Sequence, residues 1–394
     1  MPEKPLVVHI ITRLEPGGSS RNVIDSCAAQ AADFSVALLS GPHPASAPLL
    51  ALLPPDVKYV EIKHLGREIS PLADLRALAE IRAQLAALGP DLVHTHTSKA
   101  GALGRLAAFL HNRGAARRAA VVHTPHGHLL YGYYGPARTR LFLSIERLLA
   151  RITDRFVALT EGEKRESAGA GIGREADWAV IHSGVDLTPP ASPARKEDLG
   201  LPPDCLAAGT VARLEPVKGV EYFIRAAAIL KDRPHCAALR FAVIGGGALE
   251  GRLKKLAADL GVADRVAFTG FRDDAAALMA ALDIYVQPSL NEAMGRAPLE
   301  AQALGIPAVV SRVCGLPDVI REGETGCSVP PADAGALADA IEKLAAFPEA
   351  RARKGAAAAA WALSRGEGGL TRFGADSMNA LLKKFYNELL ARRR

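Results

Sequence analysis

Short apolar runs alternate with longer amphipathic stretches from one end of the chain to the other. Runs rich in Val, Ile, Leu and Ala predict strands at residues 6–12, 34–40, 57–63, 91–95, 119–124, 155–160 and 178–182. Others follow at 207–212, 239–245, 266–270, 283–288 and 306–311. Many are continuously apolar rather than alternating, the pattern of parallel strands buried on both faces. Between them lie helical stretches, including the Ala-rich residues 355–362, since alanine is the strongest helix former. Strand–helix alternation of this kind predicts doubly wound α/β sheets.

The pattern breaks at residues 188–203, which are rich in proline and small polar residues and have no apolar period, as a linker would be. At 394 residues the chain is too long for one typical core. The expected organisation is one α/β domain over residues 1–187, the linker, and a second α/β domain over 204–374. A helix over 375–394 is expected to return to the first domain. Two such domains leave a cleft facing the carboxyl ends of both sheets, where open α/β proteins bind ligands.

Composition narrows the class. Apolar residues make up 49% and charged residues 23%, which fits a folded α/β protein and not a disordered one. The five cysteines form no Cys-x-x-Cys pair and are odd in number, favouring reduced thiols and a cytoplasmic location. The N-terminal stretch lacks the apolar core of a signal peptide, and no apolar run approaches ~18 residues. The net charge of +6 is modest but unevenly placed. Between residues 99 and 155 lie Arg105, Arg113, Arg117, Arg118, Arg138, Arg140, Arg147 and Arg151, opposed only by Glu146 and Asp154. The segment from Leu381 to Arg394 reads as a basic amphipathic helix. Such surfaces suit anionic lipid, so peripheral contact with the inner face of the cell membrane stands beside the plainer reading of a solvated face. Nucleic acid is not expected, because no recognition motif accompanies the charge.

The segment with the most specific chemistry runs Pro288-Ser-Leu-Asn-Glu292-Ala-Met-Gly-Arg-Ala-Pro-Leu-Glu300. A strand ends at Pro288, a loop follows, and a helix is expected from near Pro298. Loop amides at Ala293, Met294, Gly295, Arg296 and Ala297 would then meet an anion or polar oxygen at the helix N-terminus. Glu292 in the loop and Glu300 in the helix could face one ligand at different points. A second segment, Gly209-Thr-Val-Ala-Arg213-Leu-Glu-Pro-Val-Lys218-Gly219, puts Arg213 at a strand end and Lys218 at a helix start, a pair suited to a diphosphate. No Asp-x-Asp metal motif occurs, so these cations are expected to do the work a divalent ion does elsewhere.

Three weaker signals accompany them. Gly17 and Gly18 form a tight turn after the first strand, allowing close backbone approach to a ligand. Gly245 to Gly247, with Asp264 about twenty residues on, is a partial dinucleotide fingerprint with its third glycine displaced. Histidines gather at two strand ends: His94 and His96 on one face by strand period, and His123, His126 and His128 nearby. Zinc and simple strand-end packing are both open for His94 and His96; zinc needs three or four ligands at set geometry.

These segments together resemble the retaining glycosyltransferases of family 4, which have the GT-B fold of two facing Rossmann-like domains, and the resemblance covers nearly the whole chain. It implies that the first domain is the acceptor side and the second binds the donor. By the same resemblance Glu292 holds the donor sugar and Glu300 the ribose, Arg213 and Lys218 clamp the diphosphate, and His126 contacts the sugar near the reaction centre. It also implies that the Gly17–Gly18 turn faces the phosphates, that the Gly245 region supports the nucleotide, and that the Phe271 turn reads the base. His128, Tyr131, Tyr133 and Tyr134 would line the acceptor side. Ala293 stands where glycine is frequent, and His182 and Ser183 replace the usual Pro-Asn before Gly184-Val-Asp186. The expected activity is metal-independent, retaining transfer of a hexose-type sugar from a UDP- or GDP-sugar to a hydroxyl of a cell-surface glycan or lipid-linked precursor, without a cofactor. The rivals are a GT-B nucleotide-sugar epimerase, a non-catalytic nucleotide-sugar-binding protein and, from the glycine fingerprint, an NAD-dependent dehydrogenase.

Overall fold

A computed structural model describes residues 4–392. The first three residues of the N-terminal stretch, and Arg393 and Arg394 of the basic C-terminal segment, lie outside the described residues. The chain divides into two compact units. The first takes in the chain up to Leu130, then Tyr134–Gly184 and the segment from Gly374; the second comprises Tyr131–Tyr133 and Val185–Phe373.

The first unit holds β1 (Leu6–Arg13), β2 (Ser35–Gly41), β3 (Lys58–Glu61), β4 (Leu92–His96), β5 (Ala120–Thr124), β6 (Arg155–Ala158) and β7 (Trp178–Val180). They form one sheet in the order β3-β2-β1-β4-β5-β6-β7, every neighbour parallel. β1, β4 and β5 are buried almost throughout, and their first residues run apolar without alternation while buried His and Thr residues fill their carboxyl ends. Val8, Ile10 and Val93 pack on one face with Ala77, Ile81 and Leu85 of helix Pro71–Leu88. Val7, Ile11 and Leu92 pack on the other with the C-terminal helix Ala375–Ala391.

That helix corrects one expectation. Met378, Leu382, Phe385, Tyr386, Leu389 and Leu390 recur at helical spacing and are all buried in the core of the first unit. Its apolar face is already covered, so it does not offer that face to lipid.

The second unit holds β8 (Leu206–Val211), β9 (Leu239–Ile244), β10 (Val266–Gly270), β11 (Ile284–Gln287), β12 (Ala308–Ser311) and β13 (Gly326–Val329), in the parallel order β10-β9-β8-β11-β12-β13. β13 was not expected. Gly-Cys-Ser-Val is an edge strand of low apolarity, and Gly326 lies so close to β12 that a Cβ there would sit 1.9 Å from the Ala308 carbonyl oxygen. Within residues 188–203, the turn Lys196–Leu199 is tied to the second unit by a 2.9 Å ion pair between Lys196 and Asp283.

In both sheets the strand order reverses beside the first strand, between β1 and β4 and between β8 and β11. In open α/β sheets such a switch point, at the carboxyl ends of the strands, is the usual ligand position.

Candidate functional site

In the second unit Arg213, Lys218 and Glu292 lie at its switch point, while Gly245 and Phe271 follow β9 and β10. Arg213 follows β8, and Lys218 ends the turn Pro216–Lys218 that leads into helix Val220–Leu230. Gly219, the N-cap of that helix, has φ +63°, and a Cβ there would sit 2.1 Å from the Pro288 carbonyl oxygen. Only glycine satisfies both conditions, and its absent side chain lets the two loops touch. Leu290 N donates to Val217 O at 2.7 Å, fixing the loop after β11 against the loop after β8. Lys218 Nζ thereby lies 2.5 Å from Glu292 Oε2, both side chains about one-fifth exposed. Arg213 is turned to Glu215, 3.2 Å away, with its side chain about half exposed.

Behind Glu292 runs a buried polar chain. Tyr285 Oη donates to Gln287 Oε1 at 2.6 Å, Gln287 Nε2 donates to Ser289 Oγ at 2.8 Å, and Ser289 Oγ donates to Glu292 Oε2 at 3.3 Å. Burial, with the charges of Glu300 and Glu292 adding to it, pushes the Tyr285 phenol well up, so it is neutral and able to donate. Neither Tyr285 nor Gln287 was singled out from sequence. Their apolar strand context hides them, and only their alternation toward Ser289 gave a signal.

The helix beyond Glu292 is Arg296–Ala303, starting two residues before the expected Pro298. Gly295 caps it at φ +76°, and Pro298 falls within the first turn, where backbone N–H groups have no intrahelical partner to lose. Ala293, Met294 and Gly295 are buried in the loop, while Arg296 and Ala297 open the helix. Glu300 is part-buried; desolvation raises its pKa, Arg296 opposes the rise and Asp186 adds to it. Gly245 follows β9 at φ +130°, where a Cβ would meet the Ala212 carbonyl oxygen at 2.1 Å. Its N–H donates to Gly270 O at 3.0 Å, and Leu214 N donates to Gly246 O at 2.9 Å. Phe271 thus stands next to this turn, 68% exposed, an aromatic face open to a ligand. Tyr131 groups with this unit, its carbonyl accepting from Asn291 Nδ2 and its hydroxyl from Cys314 N.

In the first unit, Gly17 (φ +157°) caps helix Gly18–Gln30 immediately after β1, and Gly18 is its first residue. His126 follows β5 with φ +55°, an uncommon backbone state for a non-glycine residue. Glu163, fully buried, holds that turn: its carboxylate accepts from Gly127 N and Leu159 N, each at 2.7 Å. Burial raises the Glu163 pKa, and the two backbone donors oppose the rise. Thr160-x-x-Glu163 was a readable helix-start signal, and Thr160 Oγ1 does accept from Glu163 N at 3.1 Å. His128 Nε2 lies 2.6 Å from Glu166 Oε2.

His94 and His96 lie on one face, their ring centroids 4.2 Å apart, joined by His9 of β1. The ligand atoms of these three rings lie within 4.8 Å of one another. All six nitrogens nevertheless have partners: His9 meets Gln30 and His96, His94 meets Tyr386 and Thr124, and His96 meets His9 and His126. No nitrogen can turn to zinc without breaking one of these bonds. His123 is bonded to Thr95.

Two family profiles match almost end to end: Glycosyltransferase Family 4 over residues 16–189 and Glycosyl transferases group 1 over residues 192–361. The UDP-Gal:alpha-D-GlcNAc-diphosphoundecaprenol alpha-1,3-galactosyltransferase of Escherichia coli is 32% identical over 276 residues, covering 68% of this chain and 70% of the relative. Sucrose-phosphate synthase from Thermosynechococcus elongatus superposes with a TM-score of 0.80 at 21% identity, covering 98% of this chain and 100% of that one. Anabaena HepE in complex with UDP and glucose superposes with 0.77 at 22% identity, covering 98% and 100%. With both profiles matched, that relative's identity and coverage, and two doubly wound parallel sheets, the chain belongs to the group 1 glycosyltransferases of family 4 type, with the two-domain α/β GT-B fold.

Proposed function

We propose that the protein moves a hexose-type sugar, with retention, from a UDP- or GDP-sugar to a hydroxyl of a lipid-linked precursor or cell-surface glycan. One observation carries this reading: Lys218 and Glu292, 74 residues apart, meet at 2.5 Å at the switch point of the second sheet. A cation for the diphosphate and a carboxylate for the sugar hydroxyls are thereby held side by side. In the proposed step the acceptor oxygen bonds to the anomeric carbon on the face that the leaving oxygen vacates. The bond from that carbon to the phosphate oxygen breaks, and the acceptor proton passes to that phosphate oxygen. Lys218, with Arg213, would neutralise the charge growing on the diphosphate, without a metal ion. Glu300 would receive the ribose hydroxyls and Phe271 the base, with Gly245 supporting the nucleotide. The loop of Ala293, Met294, Gly295, Arg296 and Ala297 would supply backbone donors. In the first unit, the Gly17–Gly18 turn would face the phosphates and His126 the sugar.

The name of the E. coli relative, with a UDP-galactose donor and an undecaprenyl diphosphate-linked acceptor, supports this choice of donor and acceptor class. So does one surface. No helix among the described residues is long and apolar enough to cross a membrane. Helix Pro136–Ala150, however, has no buried residue and exposes Leu141 (58%), Ile145 (37%) and Leu148 (60%) beside Arg138, Arg140, Arg147 and Arg151. An apolar stripe flanked by arginines suits an anionic lipid surface on the cytoplasmic side.

The test is incubation of the protein with UDP-galactose, UDP-glucose or GDP-mannose and a polyprenyl diphosphate-linked sugar, with and without EDTA, followed by NMR of the product linkage. An α-linked product from an α-configured donor, formed equally in EDTA, is expected. A β-linkage refutes retention, activity lost to EDTA and restored by Mg²⁺ refutes metal independence, and donor isomerised without an acceptor favours an epimerase.

A further inference from the structure

The first unit contains a line of hydrogen bonds that the sugar-transfer chemistry above does not require. Gln30, the last residue of helix Gly18–Gln30, places Oε1 2.9 Å from His9 Nε2. His9 Nδ1 lies 2.9 Å from His96 Nε2, and His96 Nδ1 lies 3.0 Å from His126 Nε2. Gln30, His9 and His96 are at most 2% exposed. Burial lowers the pKa of His9 to about 4 and of His126 to about 3, and lowers His96 well below the usual histidine value, so all three rings are neutral near pH 7.

A neutral imidazole carries one N–H and one lone pair. Each nitrogen–nitrogen link therefore holds one hydrogen, and fixing the proton on one ring fixes it on the next. The amide oxygen of Gln30 can only accept. His9 must then carry its proton on Nε2 and present a bare Nδ1, which must accept from His96 Nε2–H. The bare His96 Nδ1 must in turn accept from His126 Nε2–H. His94 lies alongside without joining the line, being held by Tyr386 Oη at Nδ1 (2.5 Å) and Thr124 Oγ1 at Nε2 (2.7 Å).

We infer that Gln30, His9 and His96 are positioning residues that together fix His126 as the Nε2–H tautomer, leaving its Nδ1 lone pair to accept a hydrogen bond from a donor-sugar hydroxyl. The consequence for turnover rests on the proposed contact between His126 and the sugar; the tautomer assignment rests on the line of bonds alone. It makes the last residue of the first helix a determinant of which sugar group His126 can engage: a hydroxyl that donates is accepted, and an ether or carbonyl oxygen is not.

The experiment is long-range ¹H–¹⁵N correlation on protein labelled with [¹⁵N]histidine, near neutral pH, with assignments made by single-histidine substitutions. Wild-type protein should show His9, His96 and His126 all as Nε2–H, and this reading needs no variant. Gln30→Leu removes the fixed acceptor and His9→Phe breaks the first link while keeping bulk. Either should leave His126 as a tautomer mixture and lower kcat by about twofold or more, since only a fraction of molecules is then competent, with Kd for UDP unchanged. Any other wild-type pattern, a His126 that stays Nε2–H in both variants, or kcat unchanged despite a mixed His126, overturns the inference. Full turnover by His126→Ala would instead overturn the proposed sugar contact, and with it the consequence for kcat, while leaving the tautomer reading to stand or fall on the spectrum.

Discussion

The pair Lys218–Glu292 makes a prediction with two opposite signs. Lys218 Nζ is held 2.5 Å from Glu292 Oε2, with both side chains about one-fifth exposed, so in the proposed site an arriving diphosphate would compete with a carboxylate for that cation. In the proposed site Lys218→Ala would remove a charge-assisted hydrogen bond to the phosphate, worth about 1.5–3 kcal/mol. At 1.4 kcal/mol per tenfold, Kd for UDP should rise about 10- to 140-fold. Glu292→Gln removes the competitor and keeps the shape. A part-buried ion pair of this kind is worth up to about 1 kcal/mol, so the lysine it releases should bind UDP up to about fivefold more tightly. The same substitution should abolish sugar transfer, because an amide is a poorer partner for sugar hydroxyls than a carboxylate. Isothermal titration with UDP, set beside transfer rates for both variants, provides the measurement. Weaker UDP binding in Glu292→Gln would mean that the carboxylate supports the nucleotide site instead of competing for its lysine, and unchanged binding in Lys218→Ala would remove Lys218 from the clamp.

Three further outcomes follow from packing and charge. The buried neutral histidines make stability depend on pH: a folded pKa near 4 for His9 against 6.5 when unfolded means the unfolded chain binds more protons below 6.5, so stability present above 6.5 is lost as pH falls toward 4, by up to about 3 kcal/mol from this ring. Urea midpoints from pH 7 to 4.5 should show that decline, less steeply in His9→Phe, and parallel slopes would contradict it. Arg105 is fully buried and bound to both Glu146 oxygens at 2.7 and 2.9 Å, so Glu146→Ala should cost about 3–5 kcal/mol by stranding a buried cation; a loss below about 1 kcal/mol in chemical denaturation would show that Arg105 finds another partner. Gly219→Ala combines about 1–2 kcal/mol for a left-handed residue with a Cβ 2.1 Å from Pro288 O, and should lower both the unfolding midpoint and UDP affinity, since the Glu292 loop must move to make room.

The sequence made the architecture legible because a parallel strand buried on both faces is mostly apolar, as Val7 to Ile11 (apart from His9) and Phe241 to Ile244 are. β13 escaped because an edge strand can be built from Gly-Cys-Ser-Val without that signature. The donor-side motifs were legible as separate segments, but their meeting was not: the contact between Lys218 and Glu292 depends on β8 lying beside β11, a property of strand order and not of either segment. The histidines show the same limit. Strand period set His94 and His96 on one face, yet His9 enters only because β1 pairs with β4 and sets His9 opposite His94, and Gln30 only because the first helix ends beside them.

Two helices show why periodicity identifies an apolar face without saying what covers it. Residues 381–392 and 136–150 both combine leucines at helical spacing with several arginines or lysines, and from sequence either could lie on a membrane. In Ala375–Ala391 the leucines and Phe385 pack against the sheet of the first unit, and Lys383 pairs with Asp33 at 2.7 Å, so its basic side faces water as an ordinary solvated surface. In Pro136–Ala150 no side chain is buried, and leaving Leu141, Ile145 and Leu148 in water forgoes part of the roughly 1.5–3 kcal/mol that full burial of each would contribute. A lipid surface would recover part of that energy, and the neighbouring arginines would supply attraction to anionic headgroups. Substituting Leu141, Ile145 and Leu148 together by Ser should therefore abolish sedimentation with vesicles containing anionic phospholipid while leaving the unfolding midpoint nearly unchanged. A large fall in the midpoint would instead show that this face packs against protein.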